Sequence, residues 1–339
     1  MLLNGSIQDF VEVSMAELSD YIANPFPPFH YDGLEVDEAV ASFADEEFVS
    51  FWEKMVQDGR TGRSSLAEFM PEIAQMDENI SGELTIHIIG TPCGRIPAIC
   101  CRGRELFESV VINVVFKGRQ RPIPPTMGAC LAKDYINRYR ALSMFGAVAR
   151  DTIIIASDSP YSGLKFNFTE FDEQTWGDIS LRIRLGHEGM HYFTQRLLGT
   201  SGNRIHDEVV ADYAGITMAR GLFDDDIFKD CLGLRNDGRV GRLANYVRDL
   251  DPDSSEYGEL KSFLSGVSDN IAIFDEQVTQ LNDRLMNSDS GRYRKMTSLC
   301  REYFRVYLPG LAICQTALDT IGSEGGAEHL IDKFEKLCT

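Results

Sequence analysis

Hydrophobic positions along this chain change period from helical to alternating and back, and the changes outline an architecture. Over 36–57 the apolar residues Val40, Phe43, Ala44, Phe48, Phe51, Trp52 and Met55 recur at helical spacing, with Asp37 and Glu38 where a helix N-terminus favours negative charge. A shorter helix is predicted at about 64–76, disturbed at Pro71, whose ring does not fit a regular helix interior. The segment 83–89 then alternates apolar and polar residues, 90–94 reads as a turn, and 96–101 is a second extended run. Leu106, Phe107, Val110, Val111, Val114 and Val115 return to helical pairs. The prolines of 122–128 predict a rigid loop, followed by a helix over about 127–144. Residues 151–156 read as a buried strand and 157–163 as a turn; 164–168 alternates again and suits a sheet edge.

Beyond residue 169 the pattern is helical. Asp224, Asp225 and Asp226 open a short helix, and another is predicted over about 240–250. Leu260, Leu264, Val267, Ile271, Phe274, Val278, Leu281 and Leu285 step by four and three, the seam of one long helix. That seam suits a homodimer through 260–285 or, more commonly, packing inside the chain against a helix around 293–307. Pro309 and Gly310 interrupt before helices at about 311–321 and 327–337. These elements predict a mostly helical α+β protein with a small sheet built from 83–101 and 152–168. We read 1–339 as a single two-lobed domain: an α+β lobe over 1–168, and a helical lobe over 169–339 whose C-terminal bundle spans 222–339.

Composition narrows the partners. The 339 residues are 43% hydrophobic, enough for a large core, and carry a net charge of −19, which argues against nucleic acid and against anionic membrane surfaces. No apolar run reaches the length of a membrane span, and the first basic residue is Lys54, so a secretory signal with a charged start is not expected. Eight scattered cysteines without C-x-x-C spacing then read as reduced thiols in a cytoplasmic protein. The proline- and aromatic-rich arm at 24–31 is expected to anchor the N-terminus on the body. His30 within it is a remote candidate metal ligand without spacing partners, and His87, on the polar phase of its strand, is expected to be exposed at the surface or in a cleft.

One stretch, 186–215, carries chemistry. His187 and His191 stand four apart, so on a helix both imidazoles leave one face and can grip one metal ion. Glu188 lies on a neighbouring line, where a carboxylate can reach a water on the metal without ligating. Two histidines leave a zinc site short of a ligand, and Glu208 is the best candidate for the third. It opens a second helical pattern in which Asp212 follows four residues later, placed to accept the outward N–H of a liganding histidine. His206 and Asp207 are the alternatives for the third ligand. The glycine-containing segment 198–203 reads as the turn that folds the two helices together.

This arrangement resembles the gluzincin metallopeptidases, thermolysin-like and related zinc enzymes that carry His-Glu-x-x-His followed by Glu-x-x-x-Asp. The resemblance covers about thirty residues. It implies that His187, His191 and Glu208 hold Zn2+, that Glu188 is the general base and that Asp212 supports a histidine. It also implies a zincin-like fold, a small twisted sheet preceding the active helix with an edge strand that takes up an extended peptide. The metzincin pattern is excluded, since Thr194 and Leu197 occupy the positions it reserves for Gly and His. The transition state needs a further donor, and His206, Arg204, Tyr303 and Tyr307 are the candidates. The expected activity is hydrolysis of peptide or protein substrates; a zinc hydrolase of small amides or esters and a non-enzymatic peptide-binding protein are the alternatives.

Overall fold

The computed structural model describes residues 26, 34–143, 149–199, 204–235, 241–247, 250–287 and 291–338. His30 and most of the N-terminal arm lie outside the described residues. Phe26 is buried, with its N–H on the Cys314 carbonyl at 3.0 Å, so the arm is anchored there.

The helix expected over 36–57 is two, α1 (Val36–Ser42) and α2 (Glu47–Gln57). The break has a tertiary cause. Asp45 accepts Arg95 N at 2.7 Å and Arg95 Nε at 2.8 Å, and the Ala44 carbonyl accepts Arg196 Nη1 at 3.0 Å, so the chain between them is held extended. The segment with Pro71 is α3 (Arg63–Phe69) and α4 (Pro71–Ala74), parted at the proline as expected. β1 (Leu84–Thr91) and β2 (Gly94–Cys101) form an antiparallel hairpin. α5 (Arg104–Val110) continues into a π-helical turn over Val111–Val115.

Two expectations for the sheet are corrected. In place of a helix over 127–144, Ala129–Ile136 forms β3, and a helix, α6 (Arg138–Ser143), begins only after it. β3 pairs antiparallel with β4 (Arg150–Ser157), and a register shift between Ala132 and Tyr135, with Asp134 at φ 54°, breaks the alternation that marks a strand. The segment 164–168 is not an edge strand. It forms a 3₁₀ turn at Phe166–Phe168, with the Leu164 carbonyl taken by Trp176 Nε1 at 2.6 Å. Among the described residues the strand order is β1-β2-β4-β3, with β2 and β4 parallel, so β3 is an edge.

One face of the sheet packs on α2, α3 and α5, where Trp52 is fully buried and donates to Asp151 at 2.8 Å. The other face, Ile96, Ala98, Cys100, Ile154 and Ala156, covers Leu181, Leu185 and Tyr192 of α7 (Glu173–Leu198). α8 (Arg204–Arg220) lies against α7, and α9 (Asp225–Leu232) follows with Asp224 as its N-cap. Among the described residues of 240–250 a 3₁₀ turn forms, at Arg242–Asn245, in place of the expected helix, with Arg242 and Tyr246 drawn inward by side-chain hydrogen bonds described below.

The seam of the long helix α10 (Ser255–Asn287) is buried from Leu260 to Val278 inside the chain's own core, and the surface expected as a possible dimer contact is covered there. α11 (Gly291–Leu299), a π-helical turn at Tyr303–Tyr307, α12 (Leu308–Cys314), α13 (Leu318–Ile321) and α14 (Gly326–Cys338) complete the chain, and α14 rather than 293–307 is the main neighbour of α10. A buried ion pair braces α8 from this side. Asp275 of α10 takes Arg305, the Tyr213 hydroxyl at 2.9 Å and Phe223 N at 2.9 Å. No described helix is long and apolar enough to cross a membrane.

Candidate metal centre

α7 starts on Asp172, which accepts Thr175 N, and stops at Gly199 in the left-handed conformation. Two glycines let it meet α8 closely: a Cβ on Gly186 would stand 2.9 Å from Gly215 Cα, and one on Gly215 would stand 3.1 Å from His187 N. Gly189 serves a different neighbour, since its missing Cβ leaves room for the Tyr307 hydroxyl and for Ile89 and Thr91 of β1. This tight crossing sets the histidines of one helix against the carboxylates of the other.

His187 Nε2 lies 3.0 Å from His191 Nε2 and 3.5 Å from Glu208 Oε2, and one ligand atom from each residue falls within 4.8 Å of the others. Behind them, His187 Nδ1 is 2.9 Å from Asp212 Oδ1 and His191 Nδ1 is 3.1 Å from Asp207 Oδ2. With each carboxylate accepting the Nδ1–H of its histidine, loss of any proton on Nε2 would leave two Nε2 lone pairs and a carboxylate converging on one point. A proton on His191 or a metal cation can bridge such a set. The spacing suits one metal ion, because a tetrahedral zinc at about 2.0–2.1 Å from nitrogen separates its ligand atoms by roughly 3.3 Å.

The electrostatics follow from burial and from these neighbours. Burial raises the Glu188 carboxyl above its usual range, opposed by the two histidines and reinforced by Glu208 and Asp207. Burial alone would depress His191, but Asp207, Glu208 and Glu188 push it up to about 10. Burial also opposes ionisation of Glu208 and Asp212, yet His187 and Arg242 hold the first below its ordinary range, and Arg242 with His187 and Tyr161 hold the second well below it.

Three residues of this centre were not legible in the sequence motif. Tyr161 donates to Asp212 Oδ1 at 2.6 Å and lies 3.1 Å from His187 Nδ1. Arg242 donates to the Tyr161 hydroxyl at 3.0 Å and pairs with Asp212, and Tyr246 donates to Glu208 Oε2 at 2.7 Å. The one available signal was Arg242 and Tyr246 standing four apart in a segment of ambiguous periodicity. Asp207, weighed earlier as a ligand, instead supports His191.

Of the expected transition-state donors, His206, Tyr303 and Tyr307 do not gather here. His206 is fully buried, with Nε2 on the Ile313 carbonyl at 2.8 Å and its ring edge-on to Phe26. Tyr303 donates to Asp37 at 2.6 Å, and Tyr307 to the Gly90 carbonyl at 3.3 Å, on the Gly189 side of α7. The Arg204 side chain lies outside the described residues. His87 is exposed on β1 beside Thr85.

No curated protein and no solved structure matches the chain. Residues 146–305 match the model of a family described as a family of unknown function (DUF7005), and every side chain of the centre described above lies within that similar stretch.

Proposed function

We propose that the chain is a zinc-dependent metallopeptidase on a zincin-like frame, in which His187, His191 and Glu208 hold the ion and Glu188 is the general base. The observation that carries this reading is the convergence of ligand atoms of His187, His191 and Glu208 within 4.8 Å of one another, each histidine backed by its own carboxylate. When bound, zinc supplies Lewis acidity and a water of lowered pKa.

The protein's own groups do the rest. Glu188, 8% exposed and raised by burial, is suited to take a proton from the attacking water and return it to the leaving amine. The hydroxyl of Tyr246 donates to Glu208 and the guanidinium of Arg242 lies 3.9 Å from it, so both support the charge of that carboxylate. β3 supports a peptide substrate. It has one strand neighbour among the described residues, and near its start Gly128 packs on the guanidinium of Arg184, one helical turn before Glu188. An extended chain can add to its outer edge. The order hairpin, antiparallel edge strand, inner strand, metal helix supports the zincin-like reading, and eight free cysteines support a reducing, cytoplasmic setting.

Metal analysis of protein isolated without chelator, with zinc available during growth, tests the reading; about one zinc per chain is expected. Metal-free protein would overturn it. A mixed peptide library read by mass spectrometry then tests for cleavage, and tight peptide binding without turnover would favour a binding protein over a peptidase.

A further inference from the structure

We propose that Arg242 and Tyr161 are positioning residues of this centre, and that the short segment 241–247 is the element that completes it. The proposal rests on the metal-site reading above and concerns what orients the ligands.

Hydrogen-bond direction through the cluster is set by its one obligate donor. A guanidinium can only donate. Arg242 gives Nη1 to the Tyr161 hydroxyl oxygen at 3.0 Å and Nη2 to Asp212 Oδ2. The Tyr161 oxygen is therefore an acceptor, and its proton goes to Asp212 Oδ1 at 2.6 Å. With donors on both oxygens, Asp212 can only accept from its remaining neighbour, His187 Nδ1 at 2.9 Å. His187 then carries its proton on Nδ1 and turns the Nε2 lone pair towards His191 and Glu208. Without Arg242 that direction is not enforced: the Tyr161 hydroxyl, 3.1 Å from His187 Nδ1, could donate to the ring and leave the proton on Nε2, where it blocks ligation.

The surroundings hold this chain of donors in place. Two guanidinium groups approach the Tyr161 ring, Arg184 at 5.4 Å and Arg242 at 5.2 Å from its centroid. Arg184 is 3% exposed and spends its donors on the carbonyls of Ser157, Ser159 and Pro160, clamping the turn that delivers Tyr161. Four residues after Arg242, Tyr246 donates to Glu208, so one short segment reaches Glu208 directly and His187 through Tyr161 and Asp212. Between them Asn245 donates to Thr126 Oγ1 at 3.0 Å, tying the segment to the loop before β3. Seating of this segment is thereby coupled to metal affinity.

Chelator competition for Zn2+ and the visible spectrum of the Co2+-loaded protein test the proposal on wild type, Tyr161→Phe and Arg242→Lys. Tyr161→Phe keeps the ring against its two guanidinium groups. Arg242→Lys keeps the charge but cannot bridge Tyr161 and Asp212 in the same way. Both should lose roughly 10–100-fold in zinc affinity, with a changed Co2+ spectrum and a metal-free melting temperature close to wild type in Tyr161→Phe. Wild-type affinity in both variants overturns the proposal and leaves the metal reading standing. An unchanged Co2+ spectrum with weakened affinity and a lowered metal-free melting temperature also overturns it, since a purely structural role explains that pattern. A wild type that binds neither metal overturns the metal reading itself.

Discussion

Gly186 and Gly215 meet where α7 crosses α8, so closely that a Cβ on the first would stand 2.9 Å from the Cα of the second. The helix backbones, and not only the side chains, bring His187 within 3.5 Å of Glu208. Gly215→Ala should push the helices apart at the metal site. The expected cost is about 1–3 kcal/mol, typical of inserting a methyl into a packed contact, with reduced zinc content in the folded protein. Thermal unfolding and metal analysis check both; an alanine variant with wild-type stability and zinc would mean that the crossing is looser than the structure shows.

Glu208 and Glu188 should separate cleanly on substitution. If Glu208 is a ligand as proposed, Glu208→Gln should lose zinc. Glu188→Gln should retain zinc and fold normally, yet hydrolyse any identified substrate more slowly by roughly 10²–10⁴-fold, the contribution of positioned acid–base catalysis. Zinc content and turnover measured on the two purified variants decide it, and undiminished cleavage by Glu188→Gln would remove that residue from the mechanism.

Asp207 extends the ligand prediction to the second histidine. Its Oδ2 lies 3.1 Å from His191 Nδ1, as Asp212 does for His187. Asp207→Ala should therefore weaken zinc binding by roughly 10–100-fold without abolishing it. Complete loss of zinc, equal to that of Glu208→Gln, would instead make Asp207 a direct ligand.

His206 predicts an acid-side loss of stability. Burial depresses its pKa from 6.5 to about 4, so between these values the unfolded chain binds the proton and the folded protein does not. The contribution is fully present above pH 6.5 and is lost as pH falls through about 4. Its upper size is about 3 kcal/mol, from roughly 1.4 kcal/mol per pH unit. Urea unfolding at pH 7.5 and 5 should show a smaller acid loss in His206→Leu than in wild type; equal losses would assign the effect to other groups.

The centre divides according to what local chemistry encodes. His187 and His191 must share a face because a helix repeats every 3.6 residues, and Glu208 and Asp212 follow the same rule one helix later. These residues were readable without any tertiary information, as were the β1–β2 hairpin, the break at Pro71 and the seam of α10, all set by short-range periodicity. Tyr161, Arg242 and Tyr246 were not. They come from turns 26 residues before His187 and 34 and 38 residues after Glu208, and no spacing rule links residues that meet only through packing.

The same distinction explains β3 and the donors. Its bulge at Ala132–Tyr135 hides the alternation, and only pairing with the apolar strand β4 makes that segment extended. His206, Tyr303 and Tyr307 have suitable chemistry, yet each is turned to a partner elsewhere: the Ile313 carbonyl, Asp37 and the Gly90 carbonyl. Residue type and helical period are properties of the sequence by itself, so they determined which groups could bind a metal together. The direction in which a buried polar side chain points depends on which acceptor the folded chain brings within about 3 Å. That was decided by tertiary structure alone.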